Sequence, residues 1–284
     1  MAEAYAYCRR LATSHYENFT VVSWLLPRGL RPHMHAVYAY CRGVDDLGDE
    51  APGDRLALLD EWKTELLRCY DGAAREPAFI ALQETIRRFD IPREPFLRLI
   101  EANRVDQRVD RYRTYDDLLA YCENSANPVG HLVLYLFGYR DEERQRLSGA
   151  TCTALQLTNF WQDVRRDLEK GRIYMPLEDM ERFGYGEDDL LALRSDERFR
   201  DLMSFQVGRT RELFRRGLAL VPTVRGRLRL DLRLFSLGGL AVLDAIEAVG
   251  YDTLGRRPQL SRARKAWLAL RGLLPLPVRV KETP

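Results

Sequence analysis

Two stretches of this chain hold carboxylates at a spacing that could do chemistry. The first is Val44-Asp45-Asp46-Leu47-Gly48-Asp49-Glu50, and the second runs from Gln156 through Asn159 and Asp163 to Asp167. On a helix turning 100° per residue, Val37, Tyr40, Val44 and Leu47 share one face. Tyr38, Arg42, Asp45 and Asp49 then form the opposite stripe, with Asp46 at its edge. In the second stretch Gln156, Asn159, Asp163 and Asp167 make a polar stripe opposite Leu157, Trp161, Val164 and Leu168. A solvated outer face explains either stripe taken alone. Against that, Asp45 and Asp49 repel across one turn by a few tenths of a kcal/mol, and they sit near a helix C-terminus, where the dipole also disfavours anions. Something cationic is expected there. Two helices that each carry Asp-x-x-x-Asp, facing across a cavity, offer hard oxygen ligands to a divalent cation. Magnesium typically takes one or two protein carboxylates and fills its remaining positions with water and substrate phosphate oxygens. A metal so held acts as Lewis acid and template while a carbon–oxygen bond ionises. Gly171-Arg172-Ile173-Tyr174-Met175-Pro176 follows the second stretch; Arg172 can grip phosphate through its planar fork and Tyr174 can donate a hydrogen bond.

Helices must position these groups, because nearly every segment between prolines and glycines has helical periodicity and no sustained period-two alternation occurs. The fold class expected is all-α. Candidate helices cover 3–16, 33–48, 54–70, 77–89, 93–105, 115–124, 128–137, 141–168, 187–220, 231–249 and 259–272, with Pro27, Pro32, Pro92, Pro128, Pro176 and Pro258 near their junctions. No repeat, low-complexity tract or Gly/Ser linker divides the 284 residues, so one domain over 1–284 is expected, ending in a basic amphipathic tail from about 254. A net charge of +2 does not advertise nucleic acid as a partner. Cys8, Cys41, Cys69, Cys122 and Cys152 show no C-x-x-C pair and suit a reducing cytoplasm. There is no signal-type apolar core and no run long enough to span a bilayer.

Asn159 to Pro176 resemble the second acidic motif of the head-to-head prenyl synthase family of squalene and phytoene synthases, Asn-x-x-x-Asp-x-x-x-Asp followed by Gly-Arg-x-Tyr-x-Pro. The resemblance begins near His15 and runs to about residue 250. It implies an isoprenoid-synthase helical bundle with a central apolar cavity and three magnesium ions holding a prenyl diphosphate. By the same resemblance Asp45, Asp49, Asn159, Asp163 and Asp167 match metal ligands, and Arg42 matches a diphosphate contact. Gln156 and Tyr174 match polar cavity residues. Asp46 and Glu50 are left as a solvated helix end.

Departures from the family pattern point to a branch. Tyr16-Glu17-Asn18-Phe19 stands where many relatives read Ser-x-Ser-Phe, so Asn18 replaces a serine phosphate contact. Ser125-Ala126-Asn127-Pro128-Val129-Gly130 replaces Val-Ala-Gly-x-Val-Gly, and Gln162 replaces a frequent arginine. The combination is most similar to the hydroxysqualene-forming branch of bacterial hopanoid biosynthesis. That branch implies magnesium-assisted ionisation of presqualene diphosphate, rearrangement of the cyclopropylcarbinyl cation and capture by water, with no NADPH. The chain carries no strand-linked Gly-x-Gly-x-x-Gly fingerprint. The alternatives are a sister enzyme joining two prenyl diphosphates to presqualene diphosphate, phytoene or dehydrosqualene, and a non-catalytic scaffold, which would be expected to lose motif aspartates that are intact here.

Other residues divide between wall, water site and plain structure. Phe19, Tyr38, Tyr121, Phe137, Phe160, Phe235 and Leu237 are candidates for an apolar wall that does not trap a cation early. Ser125, Asn127 or His131 would position the capturing water. The four histidines lack metal spacing, Asp116-Asp117 suit a helix start after Thr114, and Arg104, Arg108, Arg111 and Arg113 suit a salt-bridged surface helix. From Leu254 onward eight basic residues stand against the single acid Glu282, mixed with Trp267, Leu268, Leu270, Leu273 and Leu274. Such a tail could lie on an anionic membrane; a disordered tail or a subunit contact would have the same composition.

Overall fold

A computed structural model describes residues 1–14, 26–274 and 278–281. Its helices are α1 (Ala2–Ser14), α2 (Arg31–Asp49), α3 (Arg55–Tyr70), α4 (Pro77–Phe89), α5 (Glu94–Val105), α6 (Tyr115–Ser125), α7 (Asn127–Leu136), α8 (Glu142–Glu169), α9 (Leu177–Arg182), α10 (Glu187–Leu191), α11 (Glu197–Leu218), α12 (Gly226–Ala248) and α13 (Arg262–Leu273), with a 3-10 turn at Val221–Thr223. Among the described residues there is no strand, only a parallel bridge between Arg111 and Ile173. The all-α expectation therefore holds. The chain forms two compact units, residues 1–108 with 123–145 and residues 109–122 with 146–284. It passes between them three times, which is why no linker composition marks a boundary in the sequence.

In the first unit α2 is the hub, packing on α1, α3, α4, α5 and α7. Its apolar stripe is the expected one. Val37, Tyr40 and Val44 are buried against Leu59 and Leu66 of α3, Phe79 and Leu82 of α4, and Phe96 and Leu99 of α5, with Leu47 packed at the margin. Each such side chain taken fully from water contributes roughly 1.5–3 kcal/mol. Tyr40 is buried without a polar cost because its hydroxyl donates to the Phe96 carbonyl at 2.9 Å. Small residues serve the other flank, where Ala36 and Ala39 meet Ala4 and Cys8 of α1 and Ala81 of α4.

In the second unit α8, α11 and α12 carry the core. Trp161 is fully buried and its indole nitrogen donates to Thr210 Oγ1 at 2.8 Å, tying α8 to α11. Arg211 of α11 is almost wholly buried and bonds Asp244 at 3.0 Å and Glu247 at 2.5 Å on α12. An unpaired guanidinium there would be strongly destabilising, so the two acids are required by its burial.

Several sequence expectations need correction. The segment 187–220 is two helices, because Leu193 adopts a φ of 52° and Asp196 then caps α11 by accepting from Phe199 N at 3.2 Å. A short helix at Leu177–Arg182, directly after Pro176, was not expected, and α12 starts at Gly226 instead of 231. The arginines of 104–113 do not share a surface helix. Helix α5 stops at Val105, and 110–113 runs alongside 173–178 through Ile173 N to Asp110 O, Leu177 N to Tyr112 O and Glu178 N to Arg113 O. Thr114 and Asp117 do cap α6 reciprocally, at 3.0 and 3.1 Å.

Adjacent glycines in α12 give a test of this packing. A Cβ at Gly239 would lie 2.3 Å from the ring of buried Phe214, whereas one at Gly238 would meet nothing within 4 Å. Gly239→Ala is expected to cost about 1–3 kcal/mol, and Gly238→Ala to stabilise by roughly 0.5–1 kcal/mol. Urea unfolding of the two variants should move the midpoint in opposite directions.

Candidate active site

The last two turns of α2 place Arg42, Asp45 and Asp49 on one stripe, as the spacing requires. Asp45 is accessible at the surface, yet its pKa is pushed up to about 7. Loss of hydration is the main cause; a hydrogen bond from Asn103 Nδ2 to Oδ1 at 3.4 Å opposes it, and the Asp49 charge adds to it. Asp45 is thus a surface carboxyl that holds its proton more tightly than an ordinary aspartate. Asn103 reaches it from α5 only because Gly48 has no side chain, since a Cβ there would fall 2.0 Å from Asn103 Oδ1. Gln107 also crosses to this helix end and donates to the Gly48 carbonyl at 2.9 Å. Arg42 is braced by Asp46 at 2.6 Å and Glu50 at 3.3 Å, so the two acids left as a solvated margin hold the arginine of the stripe. Tyr38, on the same stripe, is buried.

Helix α8 carries the second pair, with Gln156 half-buried and Asn159 exposed on the turns before it. The expectation of a straight helix fails at Asp163, whose φ of −109° and ψ of 17° break the helical run. That bridge-region conformation costs on the order of 1–3 kcal/mol and is common at functional sites. A bidentate contact from Arg257 compensates, with Nε on Oδ1 at 2.5 Å and Nη2 on Oδ2 at 2.9 Å. Gln162 holds the same loop, donating to Pro258 O at 2.6 Å. Asp167 is pushed up to about 7 by loss of hydration and then by Asp163, with Lys170, Arg172 and Arg166 pulling the other way.

The loop after α8 brings Arg172 and Tyr174 to this pair. Arg172 N donates to Asp167 O at 2.9 Å, and Asp167, Arg172, Tyr174 and Phe160 line one small recess. Tyr174 stacks on Phe160 at 3.7 Å between centroids and on Tyr112 at 5.8 Å, with Tyr121 packed beside them. Two of the expected wall residues, Tyr121 and Phe160, therefore belong to an aromatic cluster with Tyr174. Arg111 fixes the loop by donating to Gly171 O at 2.6 Å and Glu187 at 2.7 Å.

The proposed water-positioning residues sit at the α6–α7 junction. Ser125 Oγ is buried with no hydrogen-bond partner among the described residues, Asn127 is buried, and His131 Nε2 lies 3.2 Å from the accepting Gln145 carbonyl oxygen. Asn18 and Phe19 lie outside the described residues. Sequence reading missed Asn103, Tyr112 and Arg257, of which only Arg257 had been singled out, as part of the basic tail.

The donor set suits a hard cation. All the acidic groups are oxygen donors, and in each pair one carboxyl is pushed up, by loss of hydration first and by its like-charged neighbour as well. Among the described residues no three of His, Cys, Asp and Glu converge as a metal cluster; the carboxylates occur as two pairs. A cation at Asp163 would share or replace Arg257.

Residues 4–264 match the squalene/phytoene synthase family model. A 15-cis-phytoene synthase of Synechocystis is 34% identical, over 94% of this chain and 85% of that protein. The squalene synthase HpnC of Alicyclobacillus acidocaldarius is 54% identical, with a TM-score of 0.86 over 88% of this chain and 95% of that one. A dehydrosqualene synthase solved with a ligand is 26% identical, with a TM-score of 0.86 over 95% of each chain. The helical isoprenoid-synthase fold expected from the motifs is thus the fold observed.

The raised carboxyls set a pH dependence. Asp45 and Asp167 bind protons more tightly folded than at the unfolded value of about 3.9. The folded chain therefore carries the extra protons between about pH 4 and 7, and stability falls as pH rises through that window and then levels. With chelator present, Asp167→Asn should melt a few degrees above the parent chain at about pH 8, with the gap closing near about pH 4. A gap independent of pH would contradict this.

Proposed function

The chain belongs to the squalene/phytoene synthase family of isoprenoid-forming enzymes, and from that premise we propose that it is a hydroxysqualene synthase of the hopanoid pathway acting on presqualene diphosphate. The observation that carries the reading is the two Asp-x-x-x-Asp pairs, each with one carboxyl pushed up to about 7 and an arginine near it. Asp45, Asp49, Asn159, Asp163 and Asp167 would hold magnesium, three ions by family resemblance, which supplies Lewis-acid stabilisation of the departing diphosphate. Arg42 and Arg172 bind phosphate oxygens, Arg42 being kept extended by Asp46 and Glu50. Arg257 neutralises Asp163 when no other cation does.

Carbon–oxygen heterolysis leaves the electron pair on diphosphate and a cyclopropylcarbinyl cation in the pocket. Tyr112, Tyr121, Phe160 and Tyr174 present ring faces and hold no basic nitrogen, so they can stabilise a cation without taking a proton from it. Water adds to the rearranged cation and loses a proton, giving hydroxysqualene. Ser125 Oγ, buried without a partner among the described residues, is the hydroxyl best suited to hold that water. No reductant enters this sequence, so NADPH is not required. Support for the branch comes from Ser125-Ala126-Asn127-Pro128 and Gln162, and from the higher identity to a bacterial squalene synthase, 54%, than to the phytoene synthase of Synechocystis, 34%. Peripheral placement on the inner face of the cytoplasmic membrane belongs to the same proposal, since substrate and product are very apolar.

The second reading is condensation of two prenyl diphosphates, favoured by the phytoene synthases among its relatives. Purified protein with magnesium should convert presqualene diphosphate to hydroxysqualene without NADPH, as read by mass spectrometry. Turnover of geranylgeranyl or farnesyl diphosphate alone, with presqualene diphosphate untouched, would favour condensation. In the active enzyme Ser125→Ala should raise the ratio of hydrocarbon to alcohol; an unchanged ratio would remove Ser125 from the water site.

A further inference from the structure

Helix α13 is amphipathic in the unusual sense. Its inward face is narrow: Leu268 packs on Leu237 and Ala241 of α12, and Gly272 lies so close to Leu234 that a Cβ would come within 2.3 Å. Opposite that face, Ala263, Ala266, Trp267, Leu270, Leu273 and Leu274 are exposed, with the four large side chains 45%, 64%, 64% and 51% accessible. A helix on a protein surface ordinarily turns charge outward. Here the charge sits at the flanks, where Arg264 and Arg271 stack over the Trp267 ring at 4.8 and 5.2 Å and Arg262 and Lys265 border the other side. Beside Leu273 and Leu274 a cavity of about 440 Å³ is lined by Pro222, Leu230, Arg229 and Arg233. The two arginines are fixed by donating to backbone carbonyls, Arg229 to Val224 at 2.9 Å and Arg233 to Leu274.

We propose that α13 and the adjoining cavity dock this protein on the surface of an anionic bilayer, with Trp267, Leu270, Leu273 and Leu274 entering the acyl boundary and the arginines binding headgroups. Charge complementarity selects this occupant. Each exposed apolar side chain is bordered by cations, and no acidic residue occurs between Leu254 and Lys281. A second copy seated face to face by a two-fold axis would bring these guanidinium groups against their own kind. At 12 residues the helix is about 18 Å long, too short to cross about 30 Å of hydrocarbon, so it lies in the interface. Guanidinium groups stacked on an indole at the helix flank sit at headgroup depth while the ring goes deeper. The docking requires no particular substrate.

The test is flotation of the full chain with phosphatidylcholine vesicles and with vesicles containing phosphatidylglycerol. Binding to the anionic vesicles should be about tenfold or more the stronger and should weaken with salt. Trp267→Ser with Leu270→Ser, both at exposed positions, should lose about tenfold of that binding while the circular dichroism spectrum and turnover of detergent-dispersed substrate are retained. Arg264→Glu with Lys265→Glu should abolish the preference for anionic lipid. Equal flotation of parent and both variants would overturn the proposal, as would a parent chain that does not float. A parent dimer that the Trp267 and Leu270 variant disperses, without vesicle binding, would assign the face to a second copy instead. The docking rests on the peripheral placement proposed above and assigns its surface; failed flotation would withdraw that placement, whereas the catalytic reading is tested separately by product identification.

Discussion

Like charges placed one helical turn apart are the constraint around which each acidic pair is built. On α2 the pair is Asp45 and Asp49, and on α8 it is Asp163 and Asp167. A small set of donors meets them: Asn103 on Asp45, Arg257 on Asp163, and the charges of Lys170 and Arg172 near Asp167. One member of each pair, Asp45 and Asp167, still holds its proton more tightly than an ordinary carboxyl. In the function proposed above, a divalent cation would take up that charge.

The supporting structure exists largely to bring those donors within reach. Gly48 removes a side chain so that Asn103 can approach α2, and Gln107 ties down the same helix end. The 109–114 strip, bridged to 173, sets Tyr112 against Tyr174 and aims Arg111 at the Gly171 carbonyl. Residues 254–259 return to α8 through Gln162 and Arg257. The Gln162 position illustrates how a departure from a family motif can be local in sequence and distributed in space. With no guanidinium at 162, the loop it holds presents one from 257.

The outer surface answers to a different pressure. Many charged side chains lie in short-range pairs such as Arg87 with Glu84 and Arg144 with Asp141, which contribute little to stability where solvent reaches them. The face of α13 lacks such pairing with acids on its own helix and presents indole and leucine to solvent. Within one unit, the core helices thus hide their apolar stripes while the final helix displays one.

The helices were legible in the sequence because apolar periodicity is a local property, and the site stripes because residues four apart on a helix share a face wherever that helix goes. Arg42, Asp45 and Asp49 needed nothing more, and Gly171 to Pro176 raised the expectation of a phosphate-binding loop by residue type alone. What the sequence could not display were the partners that the carboxylates meet. Asn103 stands 58 residues from Asp45, and Arg257 stands 94 from Asp163. No spacing rule links such positions, since their approach depends on helix packing and on close contacts at single glycines. The kink at Asp163 is of the same kind. A straight helix is the local optimum, and the bent one is found where a guanidinium returns from a distant loop to the same residue.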